Sequence, residues 1–333
     1  APTRQETAAA PPPPAGDILV ELGKLPGVGA LQETTPSLTG TRFFTFTFQQ
    51  PVDQRAPGGT TFPQTVTLLF RSYTAPMVLA STGYGISRNP SQGEPTKLLQ
   101  ANQLTVEHRF FNTSTTAAED WSKLDIFQAA SDLHRLTLAF KPLFARKWLN
   151  SGGSKGGMTS VYHRRFFPSD VDATLAYVAP INLGNPDPRY VPFVDSRGTP
   201  ETRTALDQWQ QAIFTRRAEV RALLEADAAR QGRTLALLGA DKGLEFAVIE
   251  APFTLWQYSN AGLAAQVPAA SATAQQLYGF LDTIYFGVVA SVSDDTLTYY
   301  AAYYYQCATQ LGYPDVKTSH LSNLLFPGQD VPE

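Results

Sequence analysis

The chain has 333 residues, 43% of them apolar and 17% charged, with 26 Lys and Arg against 29 Asp and Glu. That length accommodates a large α/β domain with a sizeable insertion or second lobe, and the near balance of charge argues against a nucleic-acid or polyanion surface. The lone cysteine, Cys307, excludes an intramolecular disulfide and a cysteine-based metal site; no apolar run is long enough to suggest a membrane span.

Residues 1–16, "APTRQETAAAPPPPAG", lack the basic and apolar regions of a signal peptide. Their four consecutive prolines predict an extended, solvated N-terminal arm. Such an arm fits what remains after a signal is removed, and with few Met and Cys the composition suits secretion to the extracellular space.

From residue 17 the pattern becomes that of a packed core. In "TRFFTFTFQQPVD" the residues Phe44, Phe46 and Phe48 alternate with Thr45 and Thr47, the period of a strand, and "TFPQTVTLLFRSY" reads as its antiparallel partner. "PMVLASTGYGIS" is an apolar run that breaks into a glycine loop, and "NQLTVEHRFF" is a short strand ending in charges. Phe127, Ala130, Leu133, Leu136 and Phe140 keep helical spacing, with Pro142 as a stop signal. "RKWLNS" then gives a strand, Met158 to Phe166 a helix, and "DATLAYVAPINLG" another strand. This alternation predicts an α/β fold with parallel strands and right-handed crossovers.

Beyond Pro200 the apolar residues Leu206, Trp209, Ile213, Val220 and Leu224 recur at helical spacing and no strong strand follows. The expected organisation is therefore an arm (1–16), the N-terminal part of an α/β core (17–199), a helical cap (200–310) and a return segment (311–333). The Tyr-rich "YYAAYYYQ" (299–306) reads as a helix packing the cap to the body.

The stretch "NSGGSKGGM" (150–158) is the most specific signal. It is not a phosphate loop, which requires G-x-x-x-x-G-K-[ST] with the lysine before the hydroxyl residue; here Ser154 precedes Lys155. It does satisfy G-x-S-x-G, between a strand and a helix, as a nucleophile elbow requires. A plain loop with convenient glycines is the alternative. An elbow needs two backbone donors for an oxyanion. Lys155 N–H is the first, and Gly83 and Tyr84 of "STGYG" are candidates for the second.

Four segments, "VEHRFF" (106–111), "GGSKGGM" (152–158), "RRFFPSDVDATLAYVAP" (164–180) and "PFTLWQY" (252–258), together resemble the S37 family of secreted bacterial serine peptidases, the prolyl tri- and tetrapeptidyl aminopeptidases. That family is related to the S28 prolyl carboxypeptidase and dipeptidyl peptidase group. The resemblance runs from about Thr41 to the end of the chain. It implies an α/β-hydrolase fold with a helical cap inserted after the central strands, and a Ser-Asp-His triad without a cofactor or metal. It also implies release of short peptides from a free N-terminus, preferentially after proline. Ser154 matches the nucleophile and Lys155 the oxyanion donor that follows it. Glu107, His108 and Arg109 match a structural segment, its charges paired beneath the active-site loops.

The triad acid and base match no residue here. His108 and His134 precede the serine, and His163 lies on the same predicted helix. His320 alone has the right order, with Asp315, Asp294 and Asp295 as orienters. The expected partner is therefore a C-terminal segment carrying the triad Asp and His, on this polypeptide or as a separate fragment. For a free amine, Glu250 is the candidate anchor in the cap, while Glu245 is expected to face solvent. Trp256 and Tyr258 are candidates to wall a proline pocket by ring stacking. Two other readings use the same residues: an esterase or lipase with the same elbow, and a catalytically incomplete peptide-binding lobe.

Overall fold

The computed structural model describes residues 14–35, 37–115, 120–258 and 261–326. Most of the expected arm (1–13) and the last seven residues of the return segment lie outside them. Contacts divide the chain after Ile181 into two units. The expected boundary at 199/200 differs from this division, because residues 182–199 group with the helices.

The first unit is built on a seven-stranded sheet of order β1-β2-β3-β5-β4-β6-β7. The strands are β1 (Val28–Thr34), β2 (Arg42–Pro51), β3 (Thr61–Phe70), β4 (Met77–Ser81), β5 (Asn102–Val106), β6 (Trp148–Gly153) and β7 (Ala173–Tyr177). Four helices accompany them: α1 (Ile18–Gly23), α2 (Glu94–Leu98), α3 (Ile126–Phe140) and α4 (Lys155–Phe166). The leading strands are antiparallel, whereas β5-β4-β6-β7 run parallel. The alternation read in β2 sends Phe44, Phe46 and Phe48 into the core, where Phe46 stacks on Phe140 of α3 at 5.7 Å. Asp125 caps α3 by accepting from Gln128 N–H at 2.7 Å, so the helix starts where a short acceptor meets its orphan amides.

The order of the parallel strands fixes where chemistry can occur. From β4 the chain crosses to β5 on one side and then to β6 on the other. The carboxyl ends of β4 and β6 thus flank a topological switch point, where open α/β sheets leave a crevice. This strand order, with a helix after each central strand and a sharp turn after β6, is the α/β-hydrolase fold.

The second unit is helical among its described residues: α5 (Tyr190–Asp195), α6 (Pro200–Thr215), α7 (Arg217–Arg230), α8 (Ala240–Tyr258), α9 (Ala261–Ala264), α10 (Ala274–Tyr285), α11 (Val288–Val292) and α12 (Asp294–Gln306), the last continuing into a π-turn at Cys307–Leu311. Its core gathers Trp209, Ile213, Leu224, Leu244, Leu277 and Val289, all fully buried. The return segment folds onto this unit. Asp187 N–H donates to Tyr313 O, Asp315 N–H to Asp187 O, and Gln211 Nε2 to His320 O. No described helix is long and apolar enough to cross a membrane.

One buried ion pair ties the first unit together. Arg109, just past β5, forks onto Asp132 of α3 with both bonds at 2.7 Å, and each side chain is 1% exposed. The same guanidinium donates to the carbonyls of Pro51, Val52 and Lys123. Removing one member of such a pair strands the other charge. Asp132→Ala is therefore expected to lower the stability of this unit by about 3–5 kcal/mol in urea unfolding, whereas Asp17→Ala, which removes a half-exposed partner of Arg42, should leave the unfolding midpoint close to that of the wild type.

Candidate active site

The turn after β6 has the geometry of a nucleophile elbow. Ser154 adopts φ 51° and ψ −125°, a region that non-glycine residues rarely occupy. Such backbone strain amounts to about 1–3 kcal/mol and persists only when the surroundings over-determine it. Here the constraint is visible: Ser154 N–H donates to Tyr177 O at 3.0 Å, and its carbonyl accepts from Met158 N–H at 3.0 Å, closing the first turn of α4. The residue is exposed. Ser154 is the N-cap of α4, yet its side chain makes no cap bond.

The glycines explain how the loop after β4 reaches this turn. A Cβ on Gly152 would lie 2.4 Å from Ser81 O, and one on Gly156 only 2.2 Å from the same oxygen. Gly83, at φ +74°, would place a Cβ 2.6 Å from Gly156 N. Backbone thus packs on backbone at three positions, which only glycine permits.

Lys155 binds the two pieces. It is 1% exposed, and its ammonium donates to Gly83 O at 2.7 Å while lying 5.6 Å from the Tyr84 ring centre and 5.4 Å from that of Phe111. Two aromatic faces and a carbonyl replace water around the buried cation. The "STGYG" loop expected from the sequence therefore does stand beside the elbow, with Gly83 and Tyr84 fixed by the side chain of Lys155. Tyr84 N–H reaches Thr82 Oγ1 at 3.3 Å, a long bond, and Tyr84 O accepts from His108 N–H at 2.9 Å.

The charges of "EHR" lie beneath these loops, as expected, but only one is ion-paired. Glu107 accepts from Ile86 N–H, Asn112 Nδ2 and Ser114 Oγ, all neutral donors. His108 donates from Nδ1 to Arg109 O at 2.8 Å. Burial, with the charge of Lys155 adding to it, holds the His108 pKa well below the ordinary histidine value.

Sequence reasoning missed a buried polar chain behind the elbow. Asn150 Oδ1 accepts from Ser81 Oγ at 2.8 Å and Ser160 Oγ at 3.0 Å, while its Nδ2 donates to His163 Nδ1 at 2.8 Å. His163 Nε2 then donates to Asp170 at 3.0 Å, and His134 Nδ1 to the same oxygen at 2.8 Å. Burial alone would raise the Asp170 pKa; the two histidine bonds outweigh it, and the net shift is downward. This chain joins β4, β6 and α4 and engages two of the four histidines. No local motif announces it, because its members are spread over residues 81 to 170.

The remaining candidates lie on the helical unit. Glu250, on α8, keeps some exposure as a residue, but burial pushes its carboxyl up to about 7, opposed by a hydrogen bond from Tyr313. The ionised form in turn helps to raise Tyr285, Tyr304 and Tyr313, after burial as the larger cause. Glu245 does not face solvent: it is 2% exposed, paired with Arg217 at 2.5 Å, and accepts from Phe326 N–H. Its position on α8 turns it to α7 and the return segment. Trp256 lines a cleft with Pro252 and Phe253, whereas Tyr258 is 64% exposed at the helix end and lines no part of that cleft. His320 pairs with Gln210 at 2.9 Å. Among the described residues no group of three or more His, Cys, Asp or Glu could hold a metal ion.

A family profile described as PS-10 peptidase S37 matches residues 11–327. A curated relative, the prolyl tri/tetrapeptidyl aminopeptidase of Streptomyces mobaraensis, is 42% identical over 322 residues, 96% of this chain and 67% of that protein. Two solved structures are more distantly similar. A putative dipeptidyl aminopeptidase IV from Bacteroides ovatus gives a TM-score of 0.35 at 16% identity, over 43% of this chain and 22% of its own. An acetyl xylan esterase from Paenibacillus sp. R4 gives 0.34 at 16% identity, over 46% and 54%.

The glycines of the turn are not equivalent, and this can be measured. A Cβ at Gly153 meets nothing within 4 Å, unlike one at Gly156. Gly153→Ala is expected to shift stability by less than about 1 kcal/mol, while Gly156→Ala should cost several times that, read as the midpoint of urea unfolding.

Proposed function

We propose, from the premise that this chain belongs to the PS-10 peptidase S37 family and is a serine aminopeptidase, that it is a secreted exopeptidase. In this reading it releases tri- or tetrapeptides from free N-termini, preferentially after proline. The observation that carries it is the strained, exposed Ser154 at the start of α4.

In this mechanism Ser154 Oγ attacks the carbonyl of the scissile bond and forms an acyl-enzyme, which water then hydrolyses. The developing oxyanion is met by Lys155 N–H, at a helix position whose amide the helix itself does not use, and by an amide of the Gly83–Tyr84 loop. The long bond from Tyr84 N–H to Thr82 Oγ1 is weak enough for an oxyanion to displace. Such donors contribute about 3 kcal/mol each to the transition state.

Serine needs a base. His108 is neutral and turned to Arg109 O, His134 and His163 share Asp170, and His320 is bonded to Gln210. The reading therefore takes the triad histidine and aspartate from a C-terminal segment, carried on this polypeptide or on a separate fragment. Ser154→Ala is expected to abolish release of a Pro-terminated tripeptide with an unchanged unfolding midpoint. A wild type that splits short acyl esters but no such peptide would replace the peptidase reading with an esterase one.

Glu250 is the proposed receiver of the substrate's α-ammonium. Its surroundings are phenols, so an incoming ammonium would supply the missing cation in a setting of low polarity. With the carboxyl pKa at about 7, the anchor is neutral below that pH, while a peptide amine of pKa about 8 is still charged. The KM for free-amine peptides should therefore rise as pH falls below 7, toward tenfold per unit, and Glu250→Gln should flatten that rise. Equal loss of free and N-acetylated substrates in Glu250→Gln would contradict the anchor.

A further inference from the structure

The amide of Tyr84 lies between two carbonyls that are both held. Gly83 O accepts from Lys155 Nζ at 2.7 Å, and Tyr84 O accepts from His108 N–H at 2.9 Å. In a trans peptide the N–H points opposite to the C=O of the same plane. Fixing Gly83 O on the lysine therefore fixes the direction of Tyr84 N–H on the other side. Gly83 also packs closely on the start of α4, where a Cβ would lie 2.7 Å from Lys155 C and 2.9 Å from its Cγ. The two proposed oxyanion donors, Lys155 N–H and Tyr84 N–H, thus come from segments in direct contact. One residue supplies the first donor and the group that sets the second.

A buried ammonium does more than a neutral donor would in that position. Lys155 is almost fully buried, with the Tyr84 and Phe111 ring centres 5.6 and 5.4 Å from its nitrogen, and in such surroundings its charge is weakly screened. Its reach is visible at His108, whose pKa it lowers after burial as the larger cause. A cation on a carbonyl polarises the whole peptide group, so the N–H at the far end becomes a stronger donor. Burying an ammonium is costly, and keeping the loop near the elbow does not require one, because the close approaches of Gly83 and Gly156 already do so. What the charge adds is direction and polarity at the Tyr84 amide.

We infer that the Lys155 side chain is a positioning residue for acyl transfer: its ammonium, bonded to Gly83 O, aims and polarises the Tyr84 N–H for the oxyanion that forms when Ser154 attacks. The inference rests on the reading of Ser154 as nucleophile and of Tyr84 N–H as the second oxyanion donor; it does not depend on whether the acyl group comes from a peptide or an ester. The benefit falls on the transition state, where negative charge develops on the carbonyl oxygen, and much less on the neutral ground state. Losing the ammonium should therefore lower kcat with KM little changed, a split that a merely structural lysine would not produce.

Lys155→Met nearly keeps the length of the side chain and removes its charge and its donor. In the active full-length protein its kcat should fall by between about tenfold and a hundredfold on both p-nitrophenyl butyrate and a peptide that yields a Pro-terminated tripeptide, with each KM within about twofold of the wild type. A peptidyl prolinal, to whose carbonyl carbon Ser154 Oγ adds so that the carbonyl oxygen takes the oxyanion position, should lose affinity by the same factor as kcat. The matching prolinol, which offers no carbonyl to attack, should keep its affinity. Equal losses for prolinal and prolinol, or an unchanged kcat, overturn the inference. If Lys155→Met does not fold, Phe111→Leu, which removes one ring face from the ammonium, carries the test: prolinal weakened by about threefold with prolinol unchanged supports the inference, and equal change in the two overturns it. A wild type that splits the ester but not the peptide sinks the peptidase reading alone, since Lys155→Met is still read on the ester. A wild type that releases the tripeptide yet binds prolinal no more tightly than prolinol sinks the inference alone.

Discussion

The first unit depends on one backbone contact, the lodging of Ser81 O against Gly152 and Gly156. With a methyl at either position, β4 and the start of α4 would have to separate. The loop carrying Gly83 and Tyr84 would then leave the elbow, taking any oxyanion donor with it. The contact also explains why Ser154 tolerates a strained backbone: strand β6 is fixed by its register to β4 and β7, and α4 by the glycine approach, so the residue between them has no other conformation open. The strain is local and about 1–3 kcal/mol, small beside what the sheet and its core supply.

The protein handles buried charge in three ways. Arg109 is matched by a carboxylate in bidentate geometry, the arrangement that keeps a buried guanidinium tolerable. The Lys155 ammonium is held by a carbonyl and two ring faces, and so fixes the Gly83 loop beside the serine. Glu250 has neither, and its proton affinity rises accordingly. A carboxyl that is easily protonated when alone, and ionised when a cation arrives, is suited to recognising an ammonium.

Much of the first unit was legible because its signals are local. The period of Phe44, Phe46 and Phe48, the cap at Asp125 and the strand-glycine-helix transition around Ser154 each depend on neighbours within a few residues. Gly83 and Tyr84 were found by analogy of position, and Lys155 Nζ at Gly83 O supplies the physical link. What sequence could not give were contacts between distant residues. Asn150 reads as an ordinary strand residue, and only the fold brings Ser81, Ser160 and His163 to it. Glu245 failed for the same reason: on α8 alone it resembles a surface charge, and Arg217 of α7 is what makes its burial possible. The unit boundary shifted because residues 182–199 bond to the return segment, through Asn182 to Leu311 O and Gly312 O.

Helix α8 puts two kinds of chemistry on one rigid element. The positions of Ile249, Pro252, Phe253 and Trp256 give an apolar face, and Glu250 with its phenols gives a titrating one. These faces respond differently to pH. The carboxyl changes charge near pH 7, whereas burial lowers the pKa of the cleft's histidine, with Asp207 opposing it. Because the two faces share a helix backbone, the spacing between the Glu250 carboxyl and the apolar face is set by the 1.5 Å rise and 100° turn of the helix, a constraint that loops in their place would not impose.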